Sequence, residues 1–262
     1  MNILQFLISG TPFYPHWLEF RQMALGNADM HRYIKGKVLE TGCGNGENKE
    51  RILKAAGKRI TSYLATDYSS WDDIFVRYNN RTSVLGILSS YLFGKQKTKS
   101  SVDQVADALN LPFKTGSFDT YCSFEVLEHI SDPDTFFSEA SRVLKKGGHC
   151  VISVLYYYRE HSEGTGFDYF RYTKSCLTLL GKKHGLRAVS IHTRSFFGTS
   201  MAAGTNQFVI RKIMEKNWLV KLLLFPFSPF IFFVTNTAGL LIDTLDKDMR
   251  YATRFHAVLK KI

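Results

Sequence analysis

Val38-Leu39-Glu40-Thr41-Gly42-Cys43-Gly44-Asn45-Gly46 runs a short β-forming segment into a glycine-rich turn, and a helix-forming pattern starts directly behind it. Glycines at alternate positions let the backbone take positive φ and approach a ligand closely, while the first N–H groups of the following helix face an anionic group. Outward from this loop, short runs of β-branched and apolar residues at 37–40, 60–66, 120–124 and 150–155 alternate with helical patterns at 48–58 and 133–145. Such alternation predicts an α/β fold with a parallel, doubly wound sheet. Asp132 can cap the 133–145 helix, Pro133 suits its first turn, and Gly147 and Gly148 permit its stop. A further helical pattern at 173–184 has Thr173 as cap and Gly185 as terminator, with strands expected at 186–191 and 253–259.

Acidic residues stand where a nucleotide ligand needs them. Gly42-x-Gly44-x-Gly46 puts Glu47 where a dinucleotide fingerprint of the GxGxxG type wants its third glycine, which argues against a nicotinamide cofactor and an oxidoreductase. Roughly twenty residues after the loop, the 60–66 strand ends in Asp67, and a carboxylate at a strand's C-terminal edge can accept from both ribose hydroxyls. Capping the next turn is the alternative for Asp67. Asp107-Ala108-Leu109-Asn110-Leu111-Pro112-Phe113 follows a strand expected at 102–106. A carboxylate there can accept from an adenine amino group between apolar neighbours; a surface loop carrying one charge is the alternative. Gly116-Ser117-Phe118-Asp119 leads through an apolar strand into Phe124-Glu125-Val126-Leu127-Glu128-His129-Ile130, whose start would complete the floor of the pocket.

Composition bounds the rest. The 262 residues, 45% hydrophobic, suit one α/β domain over 1–262 with helical insertions. Lys and Arg number 34 against 23 Asp and Glu, a formal charge of +11 that suits an anionic substrate, an anionic membrane face or nucleic acid. The basic residues are scattered and no recognised nucleic-acid module organises them, so no nucleic-acid partner is expected. Cys43, Cys122, Cys150 and Cys176 form no CxxC pair; neither a disulfide framework nor a metal site is expected, and a reducing, cytoplasmic setting fits. Residues 1–10 carry a short apolar patch without a basic leader or a small-residue cleavage site, so secretion is not expected.

Two stretches exceed a minimal nucleotide-binding sheet. An insertion at 79–101 has an apolar core at 84–93 and a Lys-rich tail. A second stretch, 203–250, reads as an apolar helical cap or a membrane-leaning segment, and its part 222–242 has no charge. At about 20 residues that part is long enough to cross a bilayer. Pro226 and Pro229 break its first third, which leaves a spanning helix, an interfacial segment and a buried cap over the substrate site as readings. Arg211, Lys212, Lys216 and Lys221 just upstream would suit an anionic lipid surface, at about 1 kcal/mol each.

Glu40 through Gly46, Asp107-Ala108 with Leu111-Pro112-Phe113, Ser117-Phe118-Asp119, Val126-Leu127-Glu128-His129 and Arg142-Val143-Leu144-Lys145-Lys146-Gly147-Gly148 together resemble the class I S-adenosylmethionine-dependent methyltransferases, in the branch of the ubiquinone-biosynthesis C-methyltransferases. The resemblance covers roughly 36–195. It implies a Rossmann-like seven-stranded sheet of order 3-2-1-4-5-7-6 with the last strand antiparallel, and S-adenosyl-L-methionine as cofactor. It also implies roles: Glu40 and the backbone of Gly42, Gly44 and Gly46 for the methionine moiety, Asp67 for the ribose, Asp107 and Ala108 for the adenine, and Glu125 for the pocket's edge. The separation between Asp67 and Asp107 is wider than in such proteins, and the uncharged C-terminal stretch is unusual for a small soluble member. His161 and Asp168-Tyr169-Phe170-Arg171-Tyr172-Thr173 resemble a segment of methyltransferases that accompany polysaccharide or glycolipid biosynthesis.

Methyl transfer from a sulfonium is an in-line displacement, so the protein supplies alignment, exclusion of water and a deprotonated acceptor. His129 and His161 are the candidate bases and Asp168 an orienter or alternative, because all follow strand ends on the side where such sheets bind ligands. A packing role for His129 and a solvated loop position for His161 are the alternatives. Arg171 with Tyr156, Tyr157, Tyr158, Tyr169 and Tyr172 suits a pocket for a sugar or phosphate, or packing. The expected function is methylation of a small-molecule, glycan or lipid-linked acceptor, at the inner face of a membrane if lipid-linked. A quinone or isoprenoid methyltransferase and a catalytically silent cofactor-binding accessory protein are the alternatives.

Overall fold

The structure, a computed structural model, describes residues 10–44, 46–68, 102–162 and 167–262. The insertion expected at 79–101 and Asn45 of the glycine loop lie outside these residues. The chain divides into two compact units, one drawn from Met1–Gly26, Tyr156–Arg159 and Thr193–Arg254, the other from Asn27–Leu155, Glu160–His192 and Phe255–Ile262.

The second unit is built on a seven-stranded sheet of β1 (Gly36–Thr41), β2 (Ile60–Asp67), β3 (Gln104–Val105), β4 (Phe118–Phe124), β5 (Leu144–Leu155), β6 (Leu186–His192) and β7 (Arg254–Lys261). Its order is β3-β2-β1-β4-β5-β7-β6, as the family resemblance implies. β1 pairs in parallel with β2 and β4, β2 with β3 and β4 with β5, while β6 and β7 pair antiparallel. Phe118, Tyr121, Cys122 and Phe124 of β4 are all buried, the burial expected of a central strand covered on both faces. Met30, Ile34, Val38, Ile52, Cys122, Phe124, Val151 and Val258 form one apolar core cluster.

Helix α1 (Trp17–Met30) precedes the sheet, and α2 (Glu47–Ala56), α3 (Pro133–Val143) and α4 (Lys174–Lys183) connect its strands. Asp132 caps α3 as expected, accepting from the Thr135 N–H at 3.0 Å, and Thr173 caps α4, accepting from the Cys176 N–H at 3.1 Å. Gly147 and Gly148 differ from expectation. They do not end α3, which stops at Val143; they lie inside β5, which begins at Leu144 rather than at Cys150. Phe118 faces Leu144 and Thr120 faces His149, so β5 carries extra residues where these glycines fall. Gly147 has φ of 80°, and a Cβ on Gly148 would lie 2.9 Å from the Asp119 carbonyl.

The first unit holds α5 (Phe197–Met214), α6 (Trp218–Leu224) and α7 (Ser228–Leu245), the last two joined by a 3-10 turn at Phe225–Phe227 that contains Pro226. Backbones of α5 and α7 come close at Gly198 and Gly239: a Cβ on Gly239 would lie 2.5 Å from the Gly198 carbonyl and 3.1 Å from the Ala202 Cβ. The face of α7 buried there is Ser228, Phe232, Asn236, Gly239 and Asp243, a stripe at helical spacing that is mostly polar or small. Asn236 donates to the Pro12 and Tyr14 carbonyls at 2.8 and 2.9 Å and accepts from Asn206 at 3.2 Å. Asp243 accepts from the Thr199 N–H at 3.1 Å, the Thr199 hydroxyl at 2.5 Å and the Phe196 N–H at 3.2 Å. Beside them Arg254 pairs with buried Glu19 at 2.8 Å. Burial pushes the Glu19 carboxyl up, and the His16 bond and the Arg254 charge outweigh it, so the group sits below the usual glutamate range.

Replacing Gly239 by Val is expected to force α5 and α7 apart and to destabilise the fold by about 1–3 kcal/mol. Gly204, also on α5, has open space around it. Gly204→Ala is expected to stabilise by up to about 1 kcal/mol. Thermal and urea unfolding of the two variants check the opposite signs.

Candidate functional site

β1 delivers Glu40 and Thr41 to the sheet's C-terminal edge, and the chain then turns through Gly42, Gly44 and Gly46 at φ of 70°, 51° and 76°. A Cβ on Gly42 would lie 2.2 Å from Val126 Cγ2, so no side chain fits where the loop meets the end of β4. The Cys43 N–H donates to the Thr66 carbonyl at 3.0 Å, and the Gly44 N–H donates to Asp67 Oδ2 at 2.9 Å. Asp67, at the end of β2, therefore holds the glycine loop at the sheet's C-terminal edge.

Glu40 is wholly buried. Its Oε2 accepts from the Tyr63 hydroxyl at 2.9 Å, and its Oε1 has no hydrogen-bond partner. Burial pushes its carboxyl up to about 7, against the Tyr63 bond, the charge of Lys49 and the nearby Asn48 side chain, with the neighbouring Asp67 adding to the rise. Lys49 is pinned on Asp103 by bonds of 2.8 and 2.7 Å, and Asp103 accepts from the Ala65 N–H at 2.8 Å.

β3 leads into Asp107 and Ala108. Asp107 is exposed and closes its own turn, with Oδ1 accepting from the Leu109 N–H at 2.8 Å; Ala108 and Leu111 are buried. Two residues to which the sequence reading gave no role fix this segment. Arg142 on α3 donates to the Phe113 and Leu111 carbonyls at 2.6 and 2.9 Å, and Glu139 accepts from the Leu111 N–H at 2.8 Å. Arg142 opens one of the motifs that carry the family resemblance, and its i, i+3 spacing from Glu139 on a predicted helix is the signal that links the two.

Glu125 follows β4 with φ of 55°, the one non-glycine residue in the left-handed region among the described residues. For such a side chain that conformation costs about 1–3 kcal/mol, which a donor bond from its N–H to the Ser153 carbonyl at 3.0 Å helps to hold. The strained turn puts Val126 against the glycine loop and starts a 3-10 turn at Leu127–His129. Tyr172, buried, clamps that turn through its hydroxyl to the Leu127 carbonyl at 3.1 Å, and the Tyr169 N–H donates to the Glu128 carbonyl at 2.8 Å.

The structure brings His129, His161 and Asp168 together. The two imidazole rings lie 5.0 Å apart, edge to face. His129 Nδ1 lies 2.6 Å from the Phe167 carbonyl, which can only accept, so Nδ1 carries the proton and Nε2 the lone pair. His161 Nδ1 lies 3.1 Å from Asp168 Oδ2, which also accepts the His161 backbone N–H at 2.7 Å. Arg171 grips both Asp168 oxygens at 2.5 and 2.6 Å. Burial raises the Asp168 carboxyl, but the Arg171 and His161 bonds and charges outweigh it and hold the group well below the usual aspartate range. Ionised Asp168 fixes His161 with its lone pair on Nε2 as well. Burial lowers the His161 pKa, the Asp168 charge opposing it and His129 and Arg171 reinforcing it. The expected tyrosines separate: Tyr172 is a buried strut, exposed Tyr169 stacks on Phe167 at 5.6 Å, and Tyr156, Tyr157 and Tyr158 belong to the other unit.

Residues 39–152 match a family model described as a methyltransferase domain. The chain is 28% identical over 116 residues to the 27-O-demethylrifamycin SV methyltransferase of Amycolatopsis mediterranei, covering 44% of this chain and 37% of that protein. It is 30% identical over 116 residues to the ubiquinone/menaquinone biosynthesis C-methyltransferase of Rhizobium johnstonii, covering 44% of this chain and 40% of that protein. The chain thus spans about two-fifths of the length of these curated relatives. Its fold is similar to that of geranyl diphosphate C-methyltransferase from Streptomyces coelicolor, with a TM-score of 0.52 at 14% identity over 95% of this chain and 82% of the other. Residues 39–152 thus form a methyltransferase domain, and the sheet that carries it has the order that the resemblance to the class I S-adenosylmethionine-dependent methyltransferases implies.

Proposed function

We propose that this protein transfers a methyl group from S-adenosylmethionine to a small-molecule, glycan or lipid-linked acceptor. The observation that carries the reading is Glu40: a buried carboxylate with one oxygen unanswered, beside a loop with no room for a side chain at Gly42. Such a group suits the cationic amino group of the cofactor's methionine moiety, and the loop suits close approach of the remainder. Bound there, the cofactor supplies an electrophilic methyl group whose bond to sulfur breaks as the acceptor's bond to carbon forms, the electron pair passing to sulfur. Asp67 offers its carboxylate to the ribose, Asp107 its Oδ2 to the adenine amino group, and buried Ala108 an apolar wall, with Glu125 at the pocket's edge. His129 and His161 form the acceptor side. Either Nε2 lone pair can take the acceptor's proton, and Asp168 orients His161 and stabilises its charged form.

Glu40 predicts a pH signature. Its folded pKa of about 7 lies above the unfolded glutamate value, so its contribution to stability is full below the unfolded pKa and is lost as pH rises through 7. A bound ammonium needs the ionised form, so affinity for S-adenosylhomocysteine is expected to rise with pH toward 7, by up to about tenfold per unit. Glu40→Gln is expected to weaken that affinity by about 10–100-fold, the loss of a charge-assisted bond, while raising Tm above pH 7. Calorimetric titrations and melts at several pH values check both signs. A folded wild-type protein that binds neither S-adenosylmethionine nor S-adenosylhomocysteine would sink the cofactor reading.

For the acceptor side, with an acceptor found by screening detergent-solubilised quinone precursors against nucleotide sugars, His161→Ala is expected to lower kcat by about 10²–10⁴-fold with cofactor affinity unchanged. Asp168→Asn is expected to lower kcat less. Cofactor binding without turnover on any extract would favour the silent accessory protein.

A second reading concerns place. Trp218–Leu245 is long and apolar enough to cross a membrane by length and composition, yet only 12% of its most apolar stretch is buried. Its polar residues Asn236 and Asp243 point inward while Phe227, Phe230, Val234, Leu241 and Leu245 point outward, Phe230 being 68% and Leu245 88% exposed. This inverted arrangement, with Arg211, Lys212, Lys216 and Lys221 nearby in sequence, favours an interfacial segment on the anionic inner face of a membrane, reached from the cytoplasm. The protein is expected to float with vesicles of phosphatidylglycerol and phosphatidylcholine at low salt, less at high salt, and less again when Phe227 and Phe230 are both replaced by Ser. Failure of the wild-type protein to float at low salt would remove this reading.

A further inference from the structure

We propose that Glu128, His129 and His161 bind one divalent first-row transition-metal ion. This deepens the reading of the histidine cluster as the acceptor side of a methyltransferase site and rests on it. One ligand atom from each residue lies within 4.8 Å of the others. Bond lengths of about 2.0–2.2 Å to such an ion require ligand atoms nearer to one another, a closing movement on the order of 1 Å that side-chain rotation supplies.

Three features single this cluster out. Its donors are two imidazoles and one carboxylate, a set that suits zinc, iron or manganese better than magnesium or calcium and leaves coordination positions open. Each histidine presents Nε2 because its Nδ1 is held, His129 by the Phe167 carbonyl at 2.6 Å and His161 by the Asp168 carboxylate at 3.1 Å. A histidine whose other nitrogen is tied to a carbonyl or carboxylate is the usual metal-ligating arrangement. Finally, the Glu128 carboxylate is buried beside the two imidazoles, where a cation held by the three groups would meet a charge of opposite sign.

The backbone holds the ligands in place before any ion arrives. Glu128 and His129 are neighbours on one 3-10 turn clamped by Tyr172 and Tyr169, and Asp168, gripped by Arg171, sets His161. An ion held by the three ligands would take the acceptor's oxygen at one of its open positions and lower that oxygen's pKa, the proton leaving to solvent. Proton acceptance by Nε2 and metal ligation by Nε2 are then alternatives for the same lone pairs. The sequence reading expected no metal site because it weighed only cysteine spacing, and a Glu-His pair with a second histidine far along the chain has no diagnostic spacing.

The test is uptake of Mn²⁺ alone, followed by the paramagnetic resonance of the free ion, and of Zn²⁺ alone by calorimetry, on chelator-treated full-length protein. Binding of S-adenosylhomocysteine and a thermal melt are measured on the same samples. One ion per chain is expected, with affinity lowered at least tenfold in Glu128→Gln and in His161→Ala, and about 10–100-fold in Asp168→Asn, which leaves all three ligands in place. The proposal is overturned if folded wild-type protein takes up neither ion saturably, or if Glu128→Gln and His161→Ala bind as the wild type does. Metal uptake that survives while S-adenosylhomocysteine fails to bind would uphold the metal site and sink the cofactor reading instead.

Discussion

Val126 sits so close to Gly42 that position 42 has no room for a β-carbon, and this contact ties the ends of β1 and β4 together. The loops at the sheet's C-terminal edge leave from the two sides of this contact. On one side of the contact, the glycine loop is held open by the Thr66 carbonyl and by Asp67, and Glu40 is buried beneath it. On the other side, the chain leaves β4 through Glu125 in a left-handed conformation that its side chain resists, and so delivers Glu128 and His129. The cost of that conformation, about 1–3 kcal/mol, is sustained because the parallel β4–β5 ladder and the Ser153 carbonyl hold both ends of the turn.

Two kinds of buried polar group coexist in the chain, and they mean different things. Asn236, Asp243, Asn206 and Thr199 in the first unit are answered by one another and by backbone groups. Such a closed network fixes which faces of α5 and α7 meet, since an unanswered member would cost about 1–3 kcal/mol. Glu40 is the opposite case: one of its oxygens is left open, and its pKa is raised because burial penalises the charge. A closed network stabilises a packing; an open buried carboxylate carries a burial cost that the packing itself does not offset.

α5 and α7 pack through Gly198, Ala202 and Gly239, small residues that let two helix backbones approach closely. Pro229 at the start of α7 and Pro226 in the preceding turn keep the apolar run from being one continuous straight helix.

The sequence by itself determined the backbone plan. Glycines at alternate positions, helix caps at Asp132 and Thr173, and alternation of strand and helix periods are local signals, each readable within a few residues, and together with the family resemblance they led to the sheet order found. Where a local signal had two meanings the structure chose between them: Gly147 and Gly148 serve an irregular strand rather than a helix end, because β5 must stay in register with β4 on both sides of them. Tertiary structure alone decided the rest. That His161 meets His129, that Tyr63 reaches Glu40 and Arg142 holds Leu111, and that the polar stripe of α7 faces inward all depend on side chains far apart in sequence arriving at one place. Periodicity carries no information about such meetings, because contact distance and burial are properties of the packed chain and not of its neighbours along the sequence.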